Sequence, residues 1–270
     1  MSAPTAPGTA RAPERLRRFE PAAFGGVWWR ELTLFRRYWV SSTFSSVVEP
    51  TIYLLAFGFG FGALVATIRG LPYIEFLGTG VVATSVLFTS AFGGMFTTFV
   101  RRKFQHSYDA MLAAPVDVHE LVTAEALWLA VKSGVYGCAP LLVAMAFGLD
   151  PAPGMALVPL VGVLTGLGFA LFGIWCSAIV PAIDSFNYIV SAVLTPLFLV
   201  AGTFFPVDAL PGWAHGAAML NPLYHCVELV RHASFGLRPG ADVLHVLALA
   251  VFAALMWLLA YTAMRRRLVD

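Results

Sequence analysis

The chain has 270 residues, of which 59% are hydrophobic and 12% charged, with a formal net charge of +2. A mean hydropathy of +0.79 and 22 phenylalanines exceed what a soluble core of this size can hide, so soluble classes are excluded and an integral membrane protein is expected. The modest charge implies no nucleic-acid partner, and the scattered Cys138, Cys176 and Cys226 make neither a ligand pair nor a disulfide framework.

Residues 1–21, rich in Pro, Ala and Arg, lack the apolar core of a signal peptide and read as a mobile cytoplasmic tail. Residues 22–270 read as a single transmembrane domain. In "FGGVWWRELTLFRRYW", Phe24, Trp28, Leu32, Phe35 and Trp39 recur at spacings of three and four, with Arg30, Glu31, Arg36 and Arg37 elsewhere on the wheel. That pattern predicts an amphipathic helix lying in the membrane interface, where Trp and basic groups concentrate. The alternative is that it starts a long first span.

A crossing helix needs about 20 apolar residues. Six stretches qualify, at 39–64, 74–99, 121–148, 155–180, 186–205 and 243–264. None alternates as a barrel strand does, so an all-α bundle is predicted. Thirteen of the 17 basic residues precede the first span, follow the second (Arg101, Arg102, Lys103) or follow the sixth (Arg265, Arg266, Arg267). By the positive-inside rule both termini are cytoplasmic, and the segment after Phe205 is external. That segment carries two short helical patterns broken at Asn221-Pro222 and is too apolar for an ordinary loop, which predicts re-entrant helices ahead of the sixth span.

Catalytic motifs fail on inspection. "HELVT" at His119 lacks the second histidine of a zinc-protease helix, since position 123 is Thr. "GFGFG" at 58–62 sits in an apolar span with no Gly-Lys-Ser/Thr after it, so it is expected to serve close packing or a bend. Gly162, Gly166, Ala170 and Gly173 make a small-residue face suited to tight helix contact. Two ionisable residues lie deep in spans, Glu49 in the first and Lys132 in the third, and counting from the basic side gives them similar depth. They are expected to form an ion pair that either fixes the helices or takes part in gating. Pro50 and the pair Thr195-Pro196 are expected to loosen their helices.

"YDAMLAAPVDVHELVTAEALWLAVKS" from Tyr108, "TPLFLVAGTFFPVDALPGWAHGAAMLNPLYHCVELVR" from Thr195, and "VVEPTIYLLAFGFGFGALV" from Val47 resemble the permease subunit of type-2 ABC exporters, in particular the branch of lipo-oligosaccharide and nodulation-factor exporters. The resemblance spans nearly all of 23–267. It implies a chain without catalysis, whose second copy completes a membrane dimer and which binds two copies of a separate ATPase. ATP and Mg would sit on that partner, and this chain would need no cofactor. It also implies that Arg102, Lys103, His106, Tyr108, Asp109, Met111, Leu112 and Pro115 form or flank a cytoplasmic coupling helix between the second and third spans, with Met, Leu and Tyr as anchors in the ATPase. The path is expected beside the first and fifth spans, with Tyr53, Phe57, Thr195, Phe198 and Phe204 on it, in contact with cargo or membrane lipid.

The expected activity is therefore ATP-driven export of an amphipathic molecule, such as a lipid-linked oligosaccharide, from the cytoplasmic side of a bacterial inner membrane. A drug or natural-product efflux permease shares the same features. An ion-coupled secondary transporter would require several intramembrane carboxylates or two matched halves, neither of which is visible.

Overall fold

A computed structural model describes residues 21–65, 67–114, 116–209 and 211–269. Residues 1–20 of the tail expected at 1–21 lie outside the described residues, and its last residue, Pro21, opens the first helix instead. Nine helices follow among the described residues: α1 Pro21–Gly62, α2 Tyr73–Lys103, α3 Ser107–Leu112, α4 Val118–Ala146, α5 Pro153–Ile179, α6 Ile183–Val200, α7 Gly212–Met219, α8 Pro222–Phe235 and α9 Pro239–Leu268. The six expected spans correspond to α1, α2, α4, α5, α6 and α9, each long and apolar enough to cross a membrane. A two-stranded hairpin, Thr67–Ile68 against Leu71–Pro72, joins α1 to α2.

The amphipathic stretch and the first span form one uninterrupted helix of 42 residues. At about 1.5 Å per residue it is roughly twice the thickness of a bilayer core. The separate interfacial helix is thus replaced by a continuous α1, because nothing between Phe24 and Trp39 breaks the backbone ladder, and Pro50 does not interrupt it either. Its first half packs on α4: Trp28 donates its indole N–H to the Ala124 carbonyl at 3.1 Å, and Trp28 and Phe35 both meet Trp128 edge-on.

α5 lies at the centre of the bundle, and small residues let its neighbours approach. A Cβ on Gly162 would stand 2.9 Å from the Cα of Gly134 on α4, and one on Gly173 would stand 2.5 Å from the Ala91 carbonyl of α2. Gly58, within the Gly-Phe repeat, abuts Ile74 in the same way.

Several spans depart from a regular helix. α2 runs four residues past the expected end, through a π turn at Gly93–Thr97, so Arg101 remains helical and buried. α4 is interrupted at Cys138, just before Pro140. α6 contains a π turn at Val190–Leu194, whose Val190 carbonyl takes the Thr195 hydroxyl at 2.9 Å, and it ends at Val200, short of the expected Phe205. There the backbone turns through Gly202 at a φ of +84°, a left-handed value that glycine adopts without penalty.

Candidate coupling surface and translocation face

α3 sits at the end of the bundle that carries Arg101–Lys103 and Arg265–Arg267, termed here the basic end. Its start is a sharp reversal, with His106 left-handed at a φ of +50°. The next helix begins with a capping box: the Asp117 carboxylate accepts from the Val118 amide at 2.7 Å, and the Asp117 amide donates to Glu120 at 3.0 Å. Glu120 of the His-Glu pair that imitates a zinc motif thus completes the helix cap with Asp117, and no cluster of three or more metal-ligating side chains occurs among the described residues.

Four buried side chains tie α3 to three spans. Arg101 makes two bonds to the Glu31 carboxylate of α1, at 2.7 and 2.8 Å, and a third to Glu125 of α4 at 2.9 Å. Glu125 also accepts from the Thr98 hydroxyl at 3.1 Å and from the Tyr108 phenol of α3. Tyr108 is 2% exposed, and burial, reinforced by the negative charge of Glu125, raises its pKa well above the ordinary value. The arrangement is a planar fork shared between two carboxylates, each held by further donors.

The residues assigned to a partner surface therefore divide. Tyr108 faces its own chain and is an internal anchor rather than an external one, because the phenol satisfies a buried carboxylate. Arg102 donates to the Ser177 carbonyl and Arg267 to that of Ala178 at 3.0 Å, so both cap the C-terminal turn of α5, where carbonyls lack helical partners. Met111 and Leu112 are half-buried against the inner cluster. Lys103, His106 and Asp109 are exposed, and His106 Nδ1 lies 3.1 Å from Asp109 Oδ2. Pro115 lies outside the described residues.

Glu49 and Lys132 do not pair. Tyr136 of α4 bonds Thr43 of α1 at 2.7 Å, six residues and about 9 Å of helix rise short of Glu49, and Lys132 is a further turn back. Counting depth from Trp39 overlooked that α1 enters the bundle at residue 21. Glu49 is exposed, and the Lys132 ammonium lies 6.0 Å from the Tyr136 ring centroid. A buried cross-helix ionic cluster is built instead from Glu31, Arg101 and Glu125. Each is an ionisable residue beside or within an apolar run, which was the available signal.

Four of the five expected path residues come together. Tyr53 stacks on Phe57 at 6.1 Å, Phe57 meets Phe204 at 5.2 Å, and Phe204 meets Phe198 at 5.1 Å. Thr195 stands apart, bonded to its own helix. The contacts continue from Phe198 to Phe88, then Phe92, Phe96 and Phe186 at 4.9 Å. Phe186 in turn touches Phe99, which touches Phe104 beside α3. A line of rings thus runs along α2 and α6 from the outer part of α1 to the basic end. The residues on α2 were missed, although Phe88, Phe92 and Phe96 are spaced by four and share a helix face.

At the far end α7 and α8 occupy the two helical patterns expected before the last span. Arg231 of α8 donates to the Gly202 carbonyl at 2.7 Å, pairs with Glu228 at 3.3 Å and lies 3.8 Å over the Phe76 ring. Burial pulls its pKa down to about 10, against the opposing charge of Glu228. Arg69, left-handed at the hairpin turn, bridges Asp208 and Glu228. His225 and His245 face each other through their Nδ1 atoms at 2.7 Å, and His232 Nδ1 meets Asp242 at 2.6 Å.

Six helices of spanning length, a short helix clamped to three of them and a line of ring contacts define a multi-pass helical membrane protein. Its sequence matches the profile of ABC-2 type transporters over residues 22–235. It is 33% identical over 245 residues to nodulation protein J of Sinorhizobium fredii, covering 90% of this chain and 93% of that protein. It is 33% identical to nodulation protein J of Rhizobium leguminosarum bv. trifolii, with the same coverage. Against the inner membrane transport permease YadH of Escherichia coli, identity is 25%, covering 90% of this chain and 95% of that protein. The chain belongs to the ABC-2 type transporter family. Membership makes it a permease subunit of a bacterial inner membrane and implies association with an ABC ATPase subunit.

Proposed function

We propose that the chain is the transmembrane half-unit of an ATP-driven exporter for an amphipathic molecule, with lipid-linked or lipo-oligosaccharide as the favoured cargo. Two copies pair in the membrane and bind two ATPase subunits, which hold ATP and Mg. The basic end and both termini face the cytoplasm, and α7 and α8 cap the exit from outside. The carrying observation is the clamp: Lys103 at the end of α2, His106 at the turn and Asp109 in α3 are exposed, while Tyr108 fastens α3, through Glu125 and Arg101, to α1, α2 and α4. A helix held in this way cannot shift alone, so closure of the ATPases displaces three spans together and biases the inward or outward state. The rings of the line that are not buried, among them Tyr53, Phe57, Phe92, Phe198 and Phe204, support the choice of cargo, since aromatic faces accept both sugar rings and acyl chains.

Co-purification tests this proposal. The wild-type chain should retain a soluble Walker-motif ATPase, and Ala113→Arg, at the exposed C-cap of α3, should lose it about tenfold or more with membrane insertion unchanged. Transport that persists without ATP hydrolysis would refute the proposal.

A further inference from the structure

At the basic end a cleft of about 610 Å³ opens between the first turns of α1 and the coupling helix α3. Its walls are Ala22, Ala23 and Gly26 on one side and Ala110, Met111 and Ala114 on the other, with Arg30 as the charged residue in the lining. The void exists because small residues face each other where larger ones would interdigitate. A Cβ on Gly26 would meet nothing within 4 Å, so no side chain among the described residues occupies that point.

We infer that this cleft is a socket for the ATPase subunit, receiving an apolar side chain flanked by acidic residues, so that α1 shares the docking surface with α3. The inference rests on the proposed function and extends it to residues that the coupling helix does not include. Three observations select this occupant. One wall is the helix proposed to meet the ATPase, so the cleft continues that surface. Lys103, Gln105, His106 and Asp109 beside it are exposed, which puts the mouth in water rather than hydrocarbon, where such groups are costly. The exposed charge around it is more basic than acidic: Lys103, with Arg36 and Arg37 further along α1, outweighs Asp109 and complements carboxylates on a partner, while Arg30 is paired with Glu31. Because α1 reaches Arg101 through Glu31, a side chain seated here would push on the clamp from the α1 side as α3 pushes from the other.

Gly26→Leu tests the socket, since it fills the cleft while also favouring the helix. Gly25→Leu is the control: its Cβ likewise meets nothing within 4 Å, it gains the same propensity, and it does not line the cleft. With full-length protein in nanodiscs and the ATPase that co-purifies with wild type, Gly26→Leu should weaken association about tenfold or more, while Gly25→Leu and thermal stability stay at the wild-type level. Equal association of wild type and Gly26→Leu would overturn the socket and leave the cleft to lipid or to no occupant. Equal losses in both variants would also overturn it, by tracing the effect to the helix rather than the cleft. If wild type retains no ATPase at all, the proposed function fails first, which separates the two outcomes.

Discussion

The two ends of the molecule both carry charge into the bundle, and they do so in opposite ways. At the basic end a single guanidinium is shared by two carboxylates from different helices, and Glu31, Arg101, Tyr108 and Glu125 are all at most 9% exposed. At the far end the charges are graded. Arg231 is 6% exposed, Glu228 is mostly covered, and the side chains of Arg69 and Asp208 are 39% and 65% exposed. The first arrangement leaves no route for water to replace a lost partner, so its helices stay together or the fold suffers. The second can exchange its outer contacts for water at little cost, as exposed ion pairs do. Under the proposed function, a clamp at one end and a releasable latch at the other would suit a machine driven at the first and opening at the second.

The sharpest way to break this contrast is Arg101→Leu. It leaves Glu125 a buried charge with no cationic partner and Glu31 with only the partly exposed Arg30, and should cost about 3–5 kcal/mol, visible as a large drop in thermal unfolding temperature. Arg101→Lys should recover only part of that, since a lysine cannot make the paired bonds to Glu31 together with the third to Glu125. Arg231→Leu should cost less, about 2 kcal/mol, because the Gly202 carbonyl loses its donor while Glu228 keeps Arg69. Its increase in hydrogen exchange should be confined to 200–209 and α8. The two networks share no residue, so the double variant should be additive. A loss well above the sum would mean that the ends communicate through the spans even in the resting protein.

Much of the fold was legible because its signals are local. Six apolar runs of spanning length, the Asn221-Pro222 break and the basic clusters each act within a few residues, and the expected spans lie within a few residues of the observed helices at most ends. The ring line was half legible: Tyr53, Phe57, Phe198 and Phe204 were chosen by proximity to two spans, whereas Phe88, Phe92 and Phe96 required knowing which face of α2 meets α6. The clamp was not legible. Arg101 reads as a topology signal and Glu31 as one polar residue on a wheel, and only tertiary packing shows that they meet. The six residues of α3 are too few for periodicity to show which way Tyr108 points. The Glu49–Lys132 pairing failed for a related reason: depth counted from the start of an apolar run assumes that the helix starts there, and α1 begins eighteen residues earlier.

The smallest expected effect distinguishes the two ends by pH. His225 Nε2 lies 3.0 Å from the Met219 carbonyl and must donate to it, so in the neutral ring Nδ1 accepts, and the proton between the two histidines belongs to His245. Protonating one of the two still leaves a single hydrogen between the facing nitrogens, because the neutral partner then carries its own on Nε2; once both are protonated the two N–H groups oppose each other and that bond between α8 and α9 is lost. Burial lowers the His225 pKa, opposed by its bond to Met219. For a histidine whose folded pKa is depressed, the stability it contributes is present above the ordinary value near 6.5 and is lost as pH falls through the depressed one. The ring is about half covered, so solvent screens much of the effect. The His232–Asp242 bond tolerates the change, since an imidazolium also donates to a carboxylate. Lowering the pH from 7.5 to 5.5 should therefore raise hydrogen exchange in the contacting turns of α8 and α9 by a few-fold, leave the basic end unchanged, and have little effect in a His225→Asn variant. An equal rise at α3 would mean that the latch and the clamp are one cooperative unit, and the contrast between the two ends would no longer hold.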